Sequence, residues 1–451
     1  MYIFLLLVFL FLVCVLGYVF WGKYILHPSV MVPMLFGFST LIAFLNLSTW
    51  GDIHQISLFV IIGGVITFCV GCFIGDVLFI SLRNFFNRNK KSKQTIFTDQ
   101  YFTYNIPQIK TIWVILFMFV VTVLDYIDLS NLTGGGLRSL LEITTAARFA
   151  YYSGDVVLRH NFLVHHALSM CKMICYIYLF FVGYRLFVSK KKIKLIYLVP
   201  IILYYIQALF TTGRTDFIYI IYATLIIWYG LFKSTQAWVP FTDYKFIKYA
   251  GIGVGLFILL FLMITLSRYG DSRNTNYDKD ITTSLSVYAG SSIYALDSYI
   301  TTYGLSQIKS IYWGEETQYL YYDIQRLLGV SSKKIIDGLP PTFIGKSSQI
   351  TTVYTALRRY IHDFGLIKMY VILFCLGFIY SIFFTYIRIE KDNFLMLLIY
   401  AFLSYPLVEL AIEERFFTTL LCWRTLYCLF YLIIFYKILI VKRAETRGKI
   451  I

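Results

Sequence analysis

Charge is what this 451-residue chain has least of. Asp, Glu, Lys and Arg make up 14% of it, and the acids are the scarcer sign, 24 against 40 basic residues. With 59% apolar residues and a mean hydropathy of +0.71, this poverty excludes a soluble fold and predicts a polytopic membrane protein. Cysteine chemistry is missing too. All eight cysteines lie within or at the ends of apolar runs, where thiols serve as small hydrophobes. Cys69 and Cys72 have CxxC spacing, but no second pair or nearby histidine completes a metal site, so no disulfide framework, metal or cofactor is expected. The first twenty residues lack the basic start and small-residue cleavage site of a signal peptide and read as a spanning helix. Gly134-Gly135-Gly136 lacks the Lys-Ser/Thr of a phosphate-binding loop and reads as a hinge. The chain also has no internal repeat and no DxD-type nucleotide-sugar motif at a cytoplasmic position.

What is present is a series of apolar windows, each close to the roughly twenty residues that cross a bilayer. Eleven are read, at about 2–21, 29–47, 56–81, 111–127, 163–186, 195–211, 216–232, 249–267, 366–387, 394–412 and 417–436. Alternate connections hold more than half of the lysines and arginines, which places 83–110 and 185–194 in the cytoplasm, the N-terminus outside and the basic tail inside. The net charge of +16 is then a matter of topology and of attraction to anionic lipid, and nucleic acid is not expected as a partner. Three regions follow: 1–267 with eight helices and an outer loop over 128–161, a polar interval 268–365 that caps a membrane-embedded site, and 366–451 with three helices and the tail. A hundred-residue loop is too long for a connection alone, and its tyrosines argue for a folded, partly helical cap.

Basic residues on the outer side run against the charge rule. Arg214, Arg268, Arg358, Arg359 and Arg415 sit at or near outer helix ends, and Arg148 lies in the 128–161 loop. If the bundle closes, those at the helix ends converge on one chamber, where guanidinium forks suit phosphate. The plainer reading pairs Arg214 with Asp216, Arg415 with Glu413 or Glu414, and Arg359 with Asp363. Helical spacing sets Arg358 over His362 and Arg359 over Asp363, a cation beside a proton acceptor. Glu409 and Glu413 share a face and offer another base, whereas Asp76 and Lys172 inside helices expect buried partners.

Three motifs give the chain a familiar cast: Thr212-Gly213-Arg214-Thr215-Asp216 between paired helices, Ser267-Arg268-Tyr269-Gly270 entering the long loop, and Arg358-Arg359-Tyr360-x-x-Asp363-Phe364-Gly365 leaving it. In these, and in topology, it resembles the Wzy-type O-antigen polymerases, which join oligosaccharide repeat units. The resemblance implies an all-α, GT-C-like integral membrane glycosyltransferase of the bacterial inner membrane. It would act at the periplasmic face on undecaprenyl-pyrophosphate-linked oligosaccharides, without nucleotide sugar or metal, and with a chain-length regulator as a further partner. Under it, Arg214 and Arg268 are expected to clamp pyrophosphate, Arg148, Arg358, Arg359 and Arg415 to bind donor or acceptor, and His362, Asp363 or Glu413 to activate the acceptor hydroxyl. An O-antigen ligase and a lipid-linked oligosaccharide flippase are the alternatives, the flippase disfavoured by the absent repeat and the long insertion.

Overall fold

The computed structural model describes residues 1–21, 24–88, 100–132, 142, 161–210, 215–240, 242–248, 251, 281–305, 310–330, 338–390 and 393–446. Arg148, Arg214 and Arg268, and the window 249–267 apart from Gly251, lie outside them. Among the described residues the chain is mostly helical, and seven helices are long and apolar enough to cross a membrane. These are α1 (Tyr2–Phe20), α2 (Pro28–Leu45), α3 (Gln55–Arg88), α4 (Gln108–Leu132), α5 (Phe162–Gly183, continued to Val188), α7 (Thr215–Thr235) and α11 (Leu366–Ile389). Three other expected spans are shorter. The window at 195–211 yields α6 (Val199–Phe210), that at 394–412 yields α12 (Phe394–Leu403), and that at 417–436 yields α13 (Trp423–Leu439). In the 394–412 window the physical cause is Pro406, whose ring fixes φ and removes a donor, so α12 stops and a new short turn starts at the proline.

Helices in lipid gain little from hiding apolar surface and associate by close packing instead. The tightest seam joins α3 to α11. A Cβ on Gly71 would lie 2.2 Å from the Phe374 carbonyl oxygen, one on Gly75 2.6 Å from that of Phe378, and one on Gly377 2.1 Å from that of Phe68. Only bare backbone fits where the two chains touch.

Connections among the described residues meet one another in two groups. At one end, β1 (Gln100–Asn105) pairs antiparallel with β4 (Val441–Thr446), Arg83 meets Glu390 at 3.4 Å, and the Ile25 amide donates to Asp243 at 2.8 Å. This is the basic end. At the other, Met1 pairs with Asp52, His54 with Asp297 at 3.0 Å, and the Asn161 amide donates to Asp128 at 3.2 Å. That end carries the candidate site.

The interval expected to cap the bundle also enters it. Its helix α8 (Ile281–Tyr303) lies against α2: Ser39 Oγ donates to the Ala289 carbonyl at 2.6 Å, and a Cβ on Gly290 would stand 3.0 Å from the Ala43 nitrogen. Ser292 Oγ donates to the Ala411 carbonyl at 2.7 Å, so the same helix grips the turn beyond α12. The serines that make this stretch look like loop are the groups that dock it. Beyond it come α9 (Tyr319–Leu327), a small hairpin of β2 (Thr342–Phe343) and β3 (Ile350–Thr351), and α10 (Ala356–Phe364).

Candidate functional site

Helix α10 carries Arg358, Arg359, His362 and Asp363, and Gly365 follows it at φ +80°, turning the chain directly into α11. A side chain strains that left-handed geometry, which is the physical content of the Phe364-Gly365 step. Against α10 lies the segment Ser310–Gln318, whose Gly314 is also left-handed and whose Glu315, Glu316 and Thr317 point at the helix. From a third direction comes the turn Glu409–Arg415, anchored by the Ala356 amide donating to the Leu410 carbonyl at 3.0 Å. One wide π-type turn, Phe416–Leu420, follows Arg415 and leads to α13.

Arg358, Arg359 and Arg415 do come together, but each arrives with a carboxylate. Arg358 is buried, pairs with Glu316, and is sandwiched by the rings of Tyr299 (4.7 Å) and Tyr354 (5.2 Å). Arg359 donates to the Glu316 carbonyl at 2.8 Å and lies 3.9 Å from Glu413. Arg415 donates to Glu409 through Nε at 2.8 Å and to Glu413 through Nη2. Three guanidiniums thus stand among six carboxyl groups, Glu315, Glu316, Asp363, Glu409, Glu413 and Glu414. Among the described residues this cluster thus holds more carboxyl groups than guanidiniums.

The intrahelical stacking expected on α10 gives way to longer-range bonds. His362 faces Tyr299 Oη through Nδ1 (3.1 Å) and Glu315 through Nε2 (3.1 Å), so both ring nitrogens are engaged. Asp363, 2% exposed, accepts from the Thr317 hydroxyl at 2.7 Å and from the Glu316 amide at 3.2 Å. Burial pushes its carboxyl up to about 7, against the lowering effect of the Thr317 hydroxyl. Glu414 is buried and takes the amides of Phe417 (2.8 Å) and Thr418 (3.0 Å) and the Tyr360 hydroxyl (3.0 Å). These groups tie α10, the 310–318 segment and the turn into one body. Glu413 differs, since its side chain is 35% exposed while Arg359 and Arg415 hold it from two sides. A base has to reach its substrate, and of the three candidates Glu413 has the open face.

The charged groups continue past this body. Glu409 accepts from the Tyr219 hydroxyl at 3.3 Å, the Lys172 ammonium lies 5.3 Å from the Tyr219 ring, and Lys172 pairs with Asp216 at 3.1 Å. Arg424, on the first turn of α13, feels the charge of Asp216. Sequence reasoning left Lys172 unassigned and passed over Arg424, although an ionisable residue inside an apolar window is itself a functional signal. It also passed over Glu315 and Glu316, which sit more than forty residues before their partners. Among the described residues no group of three His, Cys, Asp or Glu side chains is placed to hold a metal ion, and Cys69 and Cys72 are buried free thiols. No family model, curated protein or solved structure matches this chain.

Proposed function

We propose that the protein is a membrane glycosyltransferase that polymerises lipid-diphosphate-linked oligosaccharide repeat units at the face of the membrane where α10 lies. The observation that carries this reading is Glu413, an open carboxylate held by two arginines at the end of a membrane bundle. The Arg358-to-Gly365 motif, through its likeness to the O-antigen polymerases, adds the substrate class. In the reaction, a hydroxyl of the acceptor sugar attacks the anomeric carbon of the donor. Glu413 takes the hydroxyl proton as the new C–O bond forms, and the bond from the anomeric carbon to the diphosphate oxygen breaks. The lipid diphosphate leaves with the electron pair. Arg359 and Arg415 fix the orientation of Glu413 from two sides. His362, Asp363 and Arg358 build the wall behind it.

The test is a strain lacking the protein, complemented with Glu413→Gln. The expected result is normal protein level, loss of the polymer ladder and persistence of a single repeat on the surface lipid. Full-length polymer from this variant overturns the assignment. Loss of even the single repeat in the deletion strain favours ligation or lipid flipping over polymerisation. Charge stabilisation in this scheme comes from protein cations, so a chelator added to purified protein with lipid-linked repeats is expected to leave elongation unchanged.

A further inference from the structure

We infer that α9 is a membrane-surface anchor, lying in the bilayer interface with its outward side among the acyl chains of the leaflet beside α10. The inference needs a chain that spans a membrane and is independent of the reaction proposed above. The polarity of α9 carries it. Leu320, Tyr321, Ile324, Leu327 and the capping Leu328 fall within about a third of the helix circumference, and Asp323, Gln325 and Arg326 fall outside it. On a surface washed by water, the apolar arc of such a helix packs inward. Here the arrangement is reversed. Leu327 and Leu328 are 74% and 70% exposed, with Tyr321 and Ile324 exposed beside them. The side turned to the protein is the one with hydroxyls: Tyr322 is buried and its Oη donates to the Trp313 carbonyl at 2.7 Å, and the Tyr319 hydroxyl accepts from Arg359 at 3.4 Å.

The surroundings of α9 identify what covers this side. The exposed Trp313 ring has its centroid 5.5 Å from that of Tyr321 and 5.7 Å from that of Phe364. Phe364 ends α10, and after Gly365 the chain enters α11, one of the helices apolar enough to cross a membrane. Ile367, in the first turn of α11, is 79% exposed, and Val371, one turn on along the same side, is exposed as well. That side of α11 therefore meets lipid from its first turn. The apolar side of α9 stands one tryptophan ring away from the point where a spanning helix enters the bilayer. Trp and Tyr favour this depth, because their rings are apolar and their polar tips stay wet. The apolar arc carries no charge, while Asp323 and Arg326, paired with each other outside it, remain open to headgroups and water. An outward apolar arc continuous with a lipid-facing helix is the pattern of an interfacial helix. Immersed in this way, α9 fastens the segment whose Glu316 receives Arg358 and Arg359.

The experiment places single nitroxide labels on the purified full-length protein in vesicles of phosphatidylethanolamine and phosphatidylglycerol. Cys375→Ser removes the exposed native thiol, and the signal of the other thiols is subtracted. Labels at Ile324→Cys and Leu328→Cys sample the apolar arc, Arg326→Cys samples the other side of the same helix, and Val371→Cys gives the lipid reference. All four positions are exposed, and the Asp323–Arg326 pair lost in one of them is a surface pair of little worth, so unchanged unfolding temperatures are expected. Oxygen, which concentrates in the bilayer, and a water-soluble nickel chelate compete to relax each label. At Ile324 and Leu328 relaxation by oxygen should exceed that by nickel, as at Val371, with the order reversed at Arg326. Nickel dominating at all three positions of α9 puts the helix in water and overturns the anchor. Labels at Ile324 and Leu328 that are immobilised and shielded from both reagents put protein there, in a purified sample a second copy of this chain, and overturn lipid as the occupant. None of these outcomes involves Glu413, so the proposed reaction is judged separately by Glu413→Gln.

Discussion

The protein buries ionic groups at both ends of its bundle, and the two ends treat them differently. At the basic end Lys233 is 0% exposed and paired with Asp243; its ammonium also donates to the Val239 carbonyl (3.0 Å) and the Thr242 hydroxyl (2.9 Å) and lies 5.1 Å from the Tyr24 ring. Asp243 in turn accepts from Tyr229 (2.9 Å) and the Ile25 amide (2.8 Å). Every one of those bonds closes the site against entry. At the other end Glu413 and Arg415 keep 35% and 26% of their side chains exposed while still paired. Charge sealed on all sides fastens loops to helices. Charge left with an open side is where a substrate gains by binding.

Exchanging the two ends in an experiment sharpens this contrast most. Glu413→Gln is expected to lower polymerisation by a factor of about 10² to 10⁴, the usual contribution of a positioned general base, with little change in thermal stability. Lys233→Met should do the reverse. It strands the Asp243 carboxylate, costing about 3–5 kcal/mol of stability, and Asp243→Asn added to it should recover most of the loss. Stability measured in detergent beside polymer yield from membranes separates the cases. A Glu413→Gln protein that unfolds early, or a stable and inactive Lys233→Met protein, breaks the division.

The seam between the two ends comes next in size. Gly71→Ala puts a methyl carbon where the Phe374 carbonyl oxygen stands 2.2 Å away, and backbone cannot yield as a side chain does. Overpacking of this kind costs about 1–3 kcal/mol. Because α11 continues from α10 through Gly365, part of that loss is expected to appear as reduced activity at normal expression. An unshifted unfolding temperature for Gly71→Ala would mean that α3 and α11 do not meet as closely as Gly71, Gly75 and Gly377 imply.

How far the sequence disclosed all this depends on the range of each interaction. Seven of the eleven apolar windows are full-length helices among the described residues, because that signal is local. Glu409 and Glu413, four apart, do share a partner in Arg415. Window length failed at 394–412, where Pro406 divides the run, and polarity misled at α8, whose serines bond across to α2 and to Ala411. At the site, the convergence of Arg358, Arg359 and Arg415 was legible. Their neutralisation was only partly so: the neighbouring Glu413 was foreseen beside Arg415, but Glu316 reaches Arg358 across 42 residues, and no spacing rule spans that gap.

The smallest effect tests whether the wall behind Glu413 is structural. Asp363 has its carboxyl raised from 3.8 to about 7 by burial, with the charges of Glu316 and Glu315 acting in the same direction and the Thr317 hydroxyl against it. A group whose folded value is raised favours the folded contact fully below its unfolded value, near 4, and loses that contribution as pH rises through about 7. The docking of the 310–318 segment on α10 should therefore loosen progressively from about pH 4 to about pH 7 and level off above it. Amide exchange at Glu316, corrected for its intrinsic pH dependence, reports this directly, since that amide donates to Asp363. Asp363→Asn keeps an oxygen for the amide and carries no titrating proton, so its protection should stay flat over the same range. If protection of Glu316 instead strengthens with pH in the unaltered protein, the ionised carboxylate is the form that holds the segment, and Asp363 becomes as eligible as Glu413 to accept a proton from substrate.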